Sequence, residues 1–141
     1  MPLRRGERPM SQTDNNKKIV KDFWAAFSAS RFDEALGLLS EDATWWVAGT
    51  TNISGTYTKA QFADLVAGVS EGTEGGIQVT PTQMTAEEGR VSMEATSYGL
   101  MKDGKEYKNI YHFMHDLSDG KIRAVREYMD TEHVTEIFGV G

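Results

Sequence analysis

Residues 90–129 read RVSMEATSYGLMKDGKEYKNIYHFMHDLSDGKIRAVREYM, and this stretch decides the fold class. Apolar, aromatic and β-branched side chains alternate with polar ones through most of it, the period of a half-buried strand. Asp103-Gly104 and Asp119-Gly120 interrupt the alternation, and such pairs favour tight turns between antiparallel strands. The spacing predicts strands near 90–101, 106–117 and 121–129. The same period reaches back to another strand near 77–85. A four-strand antiparallel meander therefore occupies the second half of the chain.

Toward the N-terminus the period lengthens to that of a helix. Ser11-Gln12-Thr13-Asp14 has capping-box spacing, and Ile19, Val20, Phe23, Trp24 and Phe27 follow on one face, which predicts a helix over 13–29. Phe32, Leu36 and Leu39 continue as a short second helix, and Ala43–Ala48 (ATWWVA) reads as a strand. Thr58-Lys59-Ala60-Gln61 opens a third helix with Phe62, Leu65, Val66 and Val69 on its buried stripe and Gly72 as its stop. Asp130 or Thr131 caps a short closing helix that carries Val134, Ile137 and Phe138. Helices segregated from an antiparallel sheet define an α+β domain. A sheet of this size curling around one long helix encloses a volume for side chains or a ligand.

Composition narrows the function by exclusion. The chain has 141 residues, 15 Lys+Arg against 21 Asp+Glu for a net charge of −6, and no cysteine. That removes disulfide scaffolds, thiolate chemistry and Cys-ligated zinc. Without a basic cluster, no nucleic-acid partner is expected. No stretch approaches the ~18 apolar residues of a membrane span. The three histidines, His112, His115 and His133, have no metal-ligand spacing, and no metal is expected. Residues 1–12 are expected to form a flexible tail ahead of a single domain over 13–138. The opening MPLRRGERPM carries Arg4 and Arg5 without a following apolar run, so a cytoplasmic location is expected.

Three segments, Phe32–Trp46 (FDEALGLLSEDATWW), Tyr107–Phe113 (YKNIYHF) and Asp119–Val134 (DGKIRAVREYMDTEHV), together with this element order, resemble the SnoaL-like branch of the nuclear transport factor 2-like superfamily. Its relatives include ketosteroid isomerases, limonene epoxide hydrolases and polyketide cyclases. The resemblance covers about residues 13–138. It implies a cone-shaped fold, with N-terminal helices packed on a curved antiparallel sheet enclosing a pocket. Family chemistry transfers poorly, residue by residue. The isomerases' helix tyrosine falls at Phe23 and their general base near Val47. The epoxide hydrolases' arginine falls at Glu94 and one aspartate at Thr96, while Glu127 keeps the other. The tyrosine and asparagine that hold water in those hydrolases fall at Trp45 and Val47.

The sheet register can be worked from the residues. If Asp103-Gly104 is the centre of a two-residue turn, Glu94 faces Phe113, Thr96 faces Tyr111 and Tyr98 faces Asn109, all on one face. A one-residue bulge at that turn would exchange the partners. In the last hairpin, a type I turn with Gly120 left-handed places Glu127 on this face opposite Tyr111. A strict two-residue turn instead places Arg126 and Tyr128 there. The resemblance favours Glu127, which matches the hydrolases' water-activating aspartate.

A face holding Glu94, Thr96, Tyr98, Asn109, Tyr111 and Glu127 is polar for a core, and enclosed neighbouring carboxylates suit acid–base work. Glu127 and Glu94 are the expected catalytic groups. Tyr98, Asn109, Tyr111 and Thr96 orient the substrate, and Phe113, Trp45, Phe23 and Phe27 supply an apolar wall. The expected function is a cofactor-free enzyme of isomerase, cyclase, dehydratase or hydrolase type acting on a compact apolar molecule. The alternative is a non-catalytic ligand-binding or dimerisation module of the same fold. A homodimer through the outer sheet face, with Ile110, Met114 and His112, is expected in either case.

Overall fold

The computed structural model describes residues 11–139, so most of the expected N-terminal tail lies outside the described residues. The Ser11 hydroxyl accepts the Asp14 N–H at 3.1 Å. That cap opens α1 (Gln12–Ser28), which buries Val20, Phe23, Trp24 and Ala26. α2 (Phe32–Leu36) follows, then β1 (Leu39–Val47), β2 (Gly55–Thr58), α3 (Lys59–Glu71), β3 (Thr73–Glu87), β4 (Arg90–Met101), β5 (Glu106–Tyr107), β6 (Ile110–Ser118), β7 (Lys121–Met129) and α4 (Thr131–Phe138). The expected capping box of α3 is present, with Thr58 accepting from Gln61 N–H at 3.2 Å.

The strands form one curved, unclosed sheet in the order β2-β1-β7-β6-β4-β3, with β5 paired to β4. The β3–β4, β4–β6 and β6–β7 pairs are the expected antiparallel meander. β1 joins it parallel to β7, so the sheet is mixed. β2 is an additional edge strand antiparallel to β1. α1 lies against β3, β4 and β7, and α3 covers β1, β2 and β3. Together they close the inner face of the sheet over one main apolar core.

The β4–β6 register differs by one residue from the two-residue-turn expectation. Lys102–Gly104 forms a three-residue loop: Met101 N–H donates to the Lys105 carbonyl at 2.8 Å, and Gly104 N–H donates to the Met101 carbonyl at 2.9 Å. Gly104 sits at φ 91°, the left-handed position that closes a type I turn in a three-residue hairpin. Glu94 therefore pairs with His112, Ala95 with Tyr111 and Met93 with Phe113. A slip of one residue moves a whole strand face to the other side. Glu94, Thr96 and Tyr98 are thus on the outer face and exposed, beside Ile110 and His112. Met93, Ala95 and Ser97 take the inner face and are buried.

Candidate active site

Glu127 reaches the interior through two irregularities that offset each other. Asp119 and Gly120 are both left-handed (φ 53° and 75°), so Ser118 pairs with Lys121 around a strict two-residue turn. By itself that turn would direct Arg126 and Tyr128 inward. A bulge then inserts one residue into β7: Leu117 pairs with Ile122, but Asp116 pairs with Ala124. Ile122 and Val125, three apart, are consequently both buried. Two residues further on, Glu127 faces inward opposite Phe113 rather than Tyr111.

The carboxyl of Glu127 enters a cavity walled by Trp24, Phe27, Trp45, Phe62 and Phe113, with aliphatic side chains from α3 and β3. The cavity volume is about 90 Å³. No Lys, Arg or His lies among the described lining residues. Trp45 Nε1–H donates to Glu127 Oε1 at 2.9 Å. Burial raises the carboxyl from its ordinary 4.5 to about 7, and the indole hydrogen bond pulls the other way. Desolvation therefore outweighs hydrogen bonding here, and both protonation states are populated near neutral pH.

Two phenols face the same cavity. The hydroxyls of Tyr107 and Tyr111 lie 2.6 Å apart. Asn109 Nδ2–H donates to Tyr107 Oη at 3.0 Å, and Ser97 Oγ–H donates to Tyr111 Oη at 3.2 Å. Each phenolic oxygen thus accepts from an outside donor, and one phenol donates to the other. The second phenolic hydrogen is not used in these bonds, and both rings line the cavity. Burial pushes Tyr107 up to about 12 and Tyr111 well above its ordinary 10, so both stay protonated donors at neutral pH.

Asn109 does not line the cavity. Its Oδ1 accepts the N–H groups of Ile110 at 2.7 Å and Asp130 at 3.0 Å, while Nδ2 also reaches the Asp130 carbonyl at 3.1 Å. It ties β6 to the start of α4 and holds Tyr107 in place. Asp130 then caps α4 by accepting His133 N–H at 3.2 Å. α4 brings Phe138 edge-on to Tyr107 and onto the cavity wall.

Beneath the cavity, Trp24 Nε1–H donates to His115 Nε2 at 3.1 Å, and His115 Nδ1 lies 3.0 Å from the Val91 carbonyl. An indole can only donate and a carbonyl can only accept, so the imidazole is neutral with its hydrogen on Nδ1. Burial lowers His115 to about 4.

Of the ten residues expected from sequence, the structure brings Glu127, Tyr111, Phe113, Trp45 and Phe27 together around the cavity. Phe23 is fully buried behind Trp45, with ring centroids 5.7 Å apart. Asn109 supports Tyr107 from behind. Glu94, Thr96 and Tyr98 point to the opposite side of the sheet, where Tyr98 donates to Glu106 at 2.8 Å. Glu94 therefore shares no site with Glu127.

A family model described as a SnoaL-like domain matches residues 20–125. The chain belongs to the SnoaL-like domain family. No curated protein sequence matches it, but solved structures do. An NTF2-like protein from Anabaena variabilis is similar to this SnoaL-like domain with a TM-score of 0.72 and 27% identity, over 88% of this chain and 96% of that one. PrhC from Penicillium brasilianum superposes with a TM-score of 0.82 at 11% identity, covering 90% of this chain and 87% of its own. TerC, co-crystallised with polyporic acid, gives 0.76 at 20% identity over 86% and 96% of the two chains. These likenesses confirm the cone-shaped NTF2-like fold.

Tyr107 and His115 are not among the expected site residues, although both share the alternation of Asn109, Tyr111 and Phe113. β2, whose Tyr57 hydroxyl donates to the Ile53 carbonyl at 2.7 Å, is not among the expected strands. Among the described residues, no helix is long and apolar enough to cross a membrane.

Proposed function

We propose that this SnoaL-like domain is a small-molecule enzyme whose Glu127 transfers a proton on a compact, neutral, largely apolar substrate. The carrying observation is a carboxyl enclosed by aromatic and aliphatic walls, with an indole N–H as its partner and no cation among the described lining residues. A fold selected only for packing would gain by placing a Leu there, because burying a carboxyl without a counter-charge is unfavourable. The lack of a cation among the described lining residues also disfavours carboxylate or phosphate substrates.

The chemistry divides between two groups. Glu127 accepts a proton from a C–H or O–H of the bound molecule and returns it elsewhere. The spare phenolic hydrogen of the Tyr107–Tyr111 pair meets a carbonyl or hydroxyl oxygen as charge develops on it. This division suits isomerisation, aldol-type cyclisation, dehydration or water addition without a cofactor. The co-crystal of TerC with polyporic acid supports small-molecule binding by this fold.

A thermal-shift screen of apolar carbonyl, epoxide and polycyclic compounds identifies ligands, because saturation at one hundred times Kd adds ~2.7 kcal/mol. On a hit that turns over, Glu127→Gln is expected to lower kcat by ~100- to 10,000-fold while binding persists. Undiminished turnover in Glu127→Gln would overturn the assignment in favour of a binding module.

A further inference from the structure

We infer that Trp45 is the positioning residue of this site, directing the mobile proton of Glu127 to Oε2. The inference rests on the acid–base reading of Glu127 for its catalytic meaning, but its geometry stands separately. An indole N–H has one hydrogen to give and no lone pair to accept with. Oε1, 2.9 Å from Nε1, must therefore act as an acceptor in both protonation states. In the neutral acid the carbonyl oxygen is the stronger acceptor, so Oε1 takes the carbonyl role and the proton resides on Oε2. In the carboxylate, Oε1 keeps the same bond, now charge-assisted and stronger.

The donor is fixed by its surroundings. The Trp45 ring stacks on Phe62 with centroids 4.0 Å apart and planes 13° from parallel. Phe23, Trp24 and Phe113 press on it at centroid distances of 5.7, 5.8 and 6.4 Å. The indole is 2% exposed and cannot swing away without disrupting that cluster. A donor pre-set in this way orients its acceptor without reorganisation during the reaction. When Oε2 takes a proton from the substrate, the substrate keeps the electron pair and the Oε1···H–N bond weakens. When Oε2 returns the proton, the bond strengthens. Trp45 thus favours the ionised form and opposes the effect of burial.

The test is an ¹H–¹⁵N titration of the three tryptophan indoles in the full chain. The Trp45 resonance is expected to move with the same midpoint as the Glu127 carboxyl, and to be flat in Glu127→Gln. A Trp45 resonance that stays still while Glu127 titrates overturns the inference. Trp45→Phe is expected to raise the carboxyl midpoint by about one pH unit, whereas Trp46→Phe on the outer face leaves it in place. An unchanged midpoint in a folded Trp45→Phe also overturns it. Where a turnover assay exists, the pH–rate limb set by Glu127 moves by the same amount. The indole titration needs no substrate, so this inference and the catalytic reading can fail independently.

Discussion

Replacing Glu127 with Gln stabilises the folded domain at pH 8 by up to about 3 kcal/mol, roughly 10 °C in Tm. The carboxyl moves from an ordinary 4.5 to about 7 on folding. Below pH 4.5 it is protonated in both states and contributes no penalty. Between 4.5 and 7 the unfolded chain ionises while the folded chain holds its proton, so stability falls as pH rises. Above 7 the full penalty is present. Gln removes the titration and keeps a carbonyl oxygen for the Trp45 N–H. Its advantage is therefore expected at pH 8 and absent at pH 4. Urea or thermal unfolding of both proteins at the two pH values checks this, and equal stabilities at pH 8 contradict it. Destabilisation of the fold by Glu127 at neutral pH is the cost that the proposed acid–base role would carry.

The same variant is expected to reveal an acid sensitivity that the wild type conceals. His115 is neutral between Trp24 and Val91, and folding lowers its pKa from 6.5 to about 4. Its stabilising contribution is complete above 6.5. As pH falls from 6.5 to 4 the unfolded chain takes up a proton that the folded chain resists, and about 3 kcal/mol is lost. A proton on Nε2 would point at the indole hydrogen of Trp24. Glu127 gains stability over nearly the same window, so the two effects offset one another in the wild type. Glu127→Gln keeps only the loss and becomes markedly less stable from pH 7 to 4.5. Adding His115→Gln flattens that slope, whatever it costs at neutral pH. A flat profile in the single variant contradicts the assignment of the neutral imidazole.

Local order was legible in the sequence, and relative placement much less so. The limits of β4 and β7 agree with the alternation because their ends coincide with turn residues such as Gly89 and Asp130. β1 begins at Leu39, ahead of the apolar run, because Leu39 pairs with Ile122; the polar Ser40-Glu41-Asp42 gives no local sign of that tertiary contact. β2 is a four-residue edge strand, GTYT, too short for periodicity to show. The inner face of β4 turned on whether the Asp103-Gly104 loop holds two residues or three, and the recruitment of Lys102 moved Glu94 outside. In the last hairpin the residues did contain a clue to the bulge. Ile122 and Val125 are three apart, so both can be buried only if the alternation breaks between them. That break brings Glu127 inward despite the two-residue turn. The family resemblance favours the same residue through a different turn.

The most direct measurement is the titration of the Glu127 side-chain carboxyl by ¹³C NMR, assigned by its disappearance in Glu127→Gln. A midpoint near 7 places a proton-exchanging acid inside the apolar cavity at neutral pH. A midpoint near 4.5 shows an ordinary hydrated carboxylate and removes the basis for acid–base catalysis at this site.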